Sequence, residues 1–256
     1  MPHVKHTDFF AKAYTLASFI DAPSRTMNAP NLANIERRLE ALERANAEKS
    51  DRAQANVGPL GLWAFALTTA LLQIGHLRVG TSAQSATGIV VGFAFGFGGL
   101  VQLIAGVISA TQGKQFPAVA FSSYGGFWLS FGVYEALVYS EIVARDNIAE
   151  QSILIMWGVL TAALFICSFR SNAALMTLFA FLTILFLLIG ASKNPQSEKT
   201  QFASAIWGIM TAIIAFYAGF GELVNDTYRS RIVPLGSFES ETDAADDADK
   251  GSVIPR

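Results

Sequence analysis

The chain has 256 residues, of which 52% are hydrophobic and only 15% charged, with a net charge of −2 and a mean hydropathy of +0.40. That balance excludes an ordinary soluble domain and reads as a membrane protein, while the lack of a basic surplus excludes a nucleic-acid partner, whose phosphates demand one. The lone Cys167 sits in an apolar block and can form no intrachain disulfide.

Phe9–Ile20 is a short apolar run broken by Lys12 and followed by no small-residue cleavage site, so it is not read as a signal peptide. From Asn31 to Lys49 the residues Leu32, Ile35, Leu39 and Leu42 recur at spacings of 3, 4 and 3 among charged neighbours, which predicts an amphipathic helix. Residues 1–55 thus form a charged N-terminal tail. Beyond it the apolar blocks begin, and the 162 residues from Leu60 to Gly221 carry only 11 of the 38 Asp, Glu, Lys and Arg.

Six charge-poor segments follow: Leu60–Val79, Gly88–Ala110, Phe116–Tyr139, Ser152–Phe169, Ala173–Ala191 and Phe202–Gly221. Each approaches spanning length. The second, at about 1.5 Å of rise per residue, would reach about 34 Å against a hydrocarbon core of about 30 Å. The expected fold is an all-α membrane protein whose six helices occupy residues 56–221. Residues 222–256 form a C-terminal tail, which carries six acidic residues after Gly236 and is expected to be disordered there. An even number of spans puts both termini on one side. Near the spans, Lys49, Arg52, Lys114, Arg170, Arg229 and Arg231 fall on that side, against Arg78, Arg145, Lys193 and Lys199 on the other, which favours cytoplasmic termini.

Candidate site residues cluster at the entrance to the first segment. Asn56 precedes Val57, Gly58, Pro59, Leu60, Gly61 and Leu62. Pro59 suits the first turn of a helix and Gly58 is a permissible N-cap, so free N–H groups and the positive end of the helix dipole lie beside the Asn56 amide. Such an end can hold a carboxylate without a cationic side chain. Deeper in, Thr68, Thr69, Gln73, Gln102 and Thr183 are polar groups that lipid cannot satisfy, so they are expected to face other helices or a wet path. Gly88, Gly92 and Gly96 form a small-residue stripe that suits close helix packing, within one subunit or between subunits. No Asp, Glu, Lys, Arg or His lies mid-span. Glu135 and Glu222 read as interfacial, and the scattered His3, His6 and His76 offer neither a catalytic set nor a metal spacing. Neither an enzyme nor a cofactor is expected.

Taken together these residues resemble the acetate uptake transporter family, also called the succinate-acetate permease or ammonia-transport-outward family, over roughly Asn56 to Gly236. The family's Asn-Pro-Ala-Pro-Leu-Gly-Leu motif is met here by Asn56, Val57, Gly58, Pro59, Leu60, Gly61 and Leu62. Gly98, Gly99 and Gln102, the run Ala120–Leu129 with Ser123, Tyr124 and Gly125, and Gly221, Glu222, Asn225, Pro234 and Gly236 also agree. The long charged N-terminus is more like the fungal members. Val57 and Gly58 depart from the motif and make the approach to the helix less rigid. The resemblance implies a six-helix protomer around a central path and a hexameric assembly. It also implies a narrow constriction formed by Phe65, Tyr124 and Leu182.

The expected function is passage of acetate or a similar short monocarboxylate across the plasma membrane, proton-coupled in the net sense. Asn56, Gly58, Pro59, Leu60, Gly61, Leu62, Thr68 and Gln102 are the candidate substrate-binding residues. Ammonia or ammonium export is one alternative, and a non-transporting sensor or assembly protein is another.

Overall fold

The structure, a computed structural model, describes residues 34, 35, 37–42, 55–77 and 83–236, and the chain divides into two compact units, 1–54 and 55–256. In the first unit the described residues are helical, with Ile35, Leu39 and Leu42 exposed along one face, which is the seam expected of the amphipathic helix. The rest of that helix and the acidic tail after Gly236 lie outside the described residues.

The second unit is all-helical among its described residues. Its elements are α1 (Gly58–Leu77), α2 (Ala83–Phe95), a π-helical turn (Gly96–Val101), α3 (Gln102–Thr111), α4 (Gln115–Tyr139), α5 (Asn147–Ser168), α6 (Ala173–Ala191) and α7 (Glu198–Tyr228). With α2, the π turn and α3 counted as one pass, the described chain crosses the fold six times. Five passes are long and apolar enough to span a membrane on length and composition. The other, α4, is 25 residues long, about 37 Å at 1.5 Å per residue. It is less apolar because it turns Tyr124, Trp128 and Glu135 inward.

Helix starts follow local chemistry more closely than hydropathy. Asp146 accepts from the N–H groups of Ile148 and Ala149 (2.9 and 3.1 Å), Asn172 from Leu175 (2.9 Å) and Ser197 from Thr200 (3.3 Å). Each side chain satisfies an N–H that has no partner inside the helix. Hence α5 and α7 begin four or five residues before their apolar stretches do, and α2 starts at Ala83, inside the stretch read as a loop.

After α7 the chain doubles back as a strap. Asn225 fastens it, accepting from the N–H groups of Ile232 and Val233 (both 2.8 Å) and donating to the Val233 carbonyl (2.9 Å). The carbonyls of Leu235 and Gly236 then accept from the first N–H groups of α6, Ala174 (3.1 Å) and Ala173 (2.8 Å). Gly236 sits at φ +70°, where a side chain would be strained and would meet Ala173.

α1 packs along α7, α5 along α6, and α3 along α4. The last pair is backbone on backbone: a Cβ at Gly125 would lie 2.6 Å from the Leu103 nitrogen and 2.9 Å from the Gly99 carbonyl oxygen. Gly106 likewise faces the backbone of Ser122. By contrast a Cβ at Gly88, Gly92 or Gly96 would meet nothing within 4 Å, so this stripe faces away from the protomer's own helices.

Candidate functional site

α1, α4 and α6 all run away from the end bearing Ala55 and Gly236, here the proximal end, and each brings one of the three constriction residues to the middle of the fold. Phe65, Tyr124 and Leu182 are 5%, 3% and 3% exposed and belong to one core cluster. The Tyr124 ring is its hub, with ring centroids 5.5 Å from Phe65, 5.9 Å from Trp157, 6.3 Å from Phe179 and 6.4 Å from Phe186, the last stacked. Its hydroxyl lies 3.0 Å from Thr161 Oγ1. Because the Thr161 hydroxyl donates to the Trp157 carbonyl (2.7 Å), the phenol is the donor to Thr161. The ring is therefore held on all sides.

A space lies on either side of this plug. On the distal side is a cavity of about 670 Å³ with Phe65, Leu182 and Phe186 in its wall, and on the proximal side a pocket of about 70 Å³ touches Leu62, Phe121 and Phe179. An apolar neck between two polar-rimmed spaces excludes ions by forcing them to shed water.

The cavity's rim is a knot of charge. Arg145, in the loop after α4, reaches Glu135 with both guanidinium nitrogens (2.8 and 3.1 Å) and Glu150 with one (2.6 Å). Lys193, in the loop after α6, approaches the other Glu150 oxygen at 2.5 Å, and the Tyr134 hydroxyl donates to Glu150 at 2.8 Å. Hydrogen bonding to Glu135, ahead of the pull of both carboxylates, holds the Arg145 guanidinium more firmly protonated than usual despite its partial burial. His76 lines the same cavity and donates from Nδ1 to Gln73 Oε1 (3.3 Å).

At the proximal pocket Asn56 is already engaged. Its Oδ1 accepts from the Gly58 N–H (3.0 Å), its Nδ2 donates to Asp226 (2.6 Å), and it also hydrogen-bonds the Glu222 carboxylate. The Glu222 carboxylate in turn lies where a Cβ at residue 58 would stand, so the glycine that replaces the family's alanine makes room for it. Of the first N–H groups of α1, that of Gly58 is taken by Asn56, Pro59 has none, and that of Gly61 donates to the Val57 carbonyl (3.1 Å), which leaves Leu60's. Asn56, Gly58 and Leu62 line the pocket together with Glu222 and Lys114. Pro59 is buried, and Gly61 admits the Phe121 ring, which a Cβ would meet at 2.7 Å.

Thr68 and Gln102 line neither space. Gln102 donates to the Gly61 carbonyl (3.2 Å) and the Thr68 side chain fills the notch left by Gly98, so both fasten α1 to the second pass. Sequence reasoning passed over the rim residues Arg145, Glu150 and Lys193, and the rings Trp157, Phe179 and Phe186. The former lie in or beside loops and the latter in apolar runs, so only the fold gives them a common place. Among the described residues no group of His, Cys, Asp and Glu could hold a metal ion.

The chain matches the GPR1/FUN34/yaaH family over residues 40–238. It is 32% identical over 200 residues to acetate permease A of Emericella nidulans, covering 72% of this chain and 66% of that one. Over 184 residues it is 30% identical to the succinate-acetate/proton symporter SatP of Escherichia coli, covering 71% and 95%. The ammonia transport outward protein 2 of Saccharomyces cerevisiae is 34% identical over 174 residues, covering 65% and 60%. The solved structure of the bacterial acetate channel SatP superposes with a TM-score of 0.65 at 27% identity, covering 72% of this chain and 99% of that one. A match across the neck, both of its flanking spaces and the strap makes the chain a multi-pass membrane protein of the GPR1/FUN34/yaaH family.

Proposed function

We propose that the protein conducts acetate and similar short monocarboxylates across the membrane, with a proton carried in the net sense. The observation that supports this reading most is the Phe65–Tyr124–Leu182 neck, narrow, dry and flanked by one space on each side. A short carboxylate has one polar end to satisfy and a methyl group that suits the rings, whereas an ammonium ion calls for facing acceptors that the neck lacks. Initial uptake of labelled acetate into proteoliposomes of the purified chain tests the reading. Saturable uptake stimulated by an inward proton gradient is expected. Uptake no faster than in protein-free vesicles, or transport of ammonium alone, would reject it.

In this reading both termini are cytoplasmic, the membrane is the plasma membrane, and protomers assemble as hexamers with the open Gly88–Gly92–Gly96 stripe available to a neighbouring helix. A reporter fused after Arg256 should be protected in intact cells, and labelling from outside would reverse the topology. Asn56→Ala should lower acetate uptake about tenfold, since it removes both the cap of α1 and a hydrogen bond to a charged group, each worth about 1 kcal/mol or more. Oligomer size on gel filtration should stay unchanged. Loss of assembly with no separable transport defect would make the amide structural.

A further inference from the structure

The neck's distal flank has an order set by helix register. Phe65 and Tyr124 face each other with ring centroids 5.5 Å apart, and residues four apart share a helix face about 6 Å along the axis. One turn distal to Phe65 is Thr69, and one turn distal to Tyr124 is Trp128. A second turn along α1 brings Gln73. All three line the large cavity, and they are 3%, 2% and 0% exposed.

Thr69 Oγ1, Trp128 Nε1 and Gln73 Nε2 are each buried without a hydrogen-bond partner. Gln73 has its carbonyl oxygen turned to His76, which leaves its NH₂ as the unmatched group. An indole N–H and an amide NH₂ can only donate, and a hydroxyl can donate too. Such orphans are rare in folded proteins, because each forfeits about 1–3 kcal/mol of hydration, and three in one wall call for a ligand that accepts. The remaining wall at this depth is apolar, with Leu182, Leu185 and Phe186. A small molecule with an acceptor-only head and a short alkyl tail fits both halves.

We propose that Thr69, Gln73 and Trp128 form a carboxylate-binding subsite on the distal flank of the neck, built from neutral donors. This rests on the carboxylate reading above and deepens it. The nearest fixed cations, Arg145 and Lys193, are engaged by Glu135 and Glu150 at the rim, so the deep site binds by hydrogen bonds alone. That suits a path: an anion held by neutral dipoles is stabilised enough to enter and weakly enough to leave. An ammonium ion, which has nothing to accept with, is refused by the same wall.

The test is the concentration dependence of labelled acetate uptake in proteoliposomes of the full chain and of Thr69→Val, Trp128→Phe and Gln73→Leu. Each substitution keeps the approximate shape and removes a donor. KM should rise about tenfold for each, in line with the loss of one hydrogen bond to a charged partner. Thr211→Val removes a buried hydroxyl that bonds the Trp207 carbonyl and lines neither space, and its KM should match the parent. An unchanged KM in all three variants, with uptake by the parent intact, would overturn the subsite and leave the transport reading standing. Absence of uptake by the parent would overturn both. If Gln73→Leu does not assemble because its side chain must lie against Gly208, the two near-isosteric variants decide.

Discussion

Alanine at Leu182 or at Phe65 should let lactate and succinate compete with labelled acetate, which the parent protein resists. Both side chains are buried in the plug and both wall the distal cavity, so truncation joins that cavity to the space around Tyr124. A wider and wetter neck lowers the cost of desolvating a larger or doubly charged acid. The variants should also lose stability, by about 2–5 kcal/mol, because the surrounding rings relax only in part into the space left behind. Tyr124→Phe separates size from chemistry. It keeps the ring stacked on Phe186 and removes only the hydrogen bond to Thr161, so substrate ranking should persist while rate changes. Unchanged ranking in both alanine variants would reduce the three residues to core packing.

The second large effect is expected at the rim. Arg145, Lys193, Glu135 and Glu150 balance to zero, and Arg145→Ala tips the balance to one cation against two carboxylates at the mouth of the cavity. Acetate uptake should fall about tenfold at low ionic strength and recover in part with added salt, as expected for a field acting on an approaching anion. Adding Glu135→Gln to that variant restores the balance and should restore uptake. Arg145→Lys should be only a partial substitute, because a point charge cannot grip both oxygens of Glu135 while reaching Glu150. A deficit that neither salt nor the second substitution relieves would mean that the knot serves only to tie the loops.

How far the sequence could be read depended on the kind of signal. Hydrophobic blocks located all six passes, and Ala173–Ala191 to the residue, since there the apolar run and the helix coincide. Blocks understate a helix that continues through polar residues: α7 runs from Glu198 to Tyr228, well past Phe202–Gly221, and its start is marked by the Ser197 cap and not by hydropathy. The neck residues were legible through family resemblance, and the fold brings them together. Thr69 and Gln73 were legible only as polar groups that lipid cannot satisfy, because the register that sets them beside Trp128 belongs to two different helices. The rim was illegible for a related reason: Arg145 and Lys193 lie 48 residues apart in two loops, where a charge ordinarily belongs to water, and Glu150 unites them only after folding.

The π turn bears on how this chain should be compared with others. In Gly96–Val101 the Gln102 N–H reaches back to the carbonyl of Phe97, five residues away, so this pass spends one residue more than an α-helix of equal height. The turn is in effect an insertion absorbed inside a continuous helix. Deleting a single residue there would leave a span of nearly the same length, yet it would rotate all that follows by about 100° and swing Gln102 away from the Gly61 carbonyl it now meets. An alignment that places a one-residue gap in this stretch therefore implies a differently oriented α3, however good its score on either side.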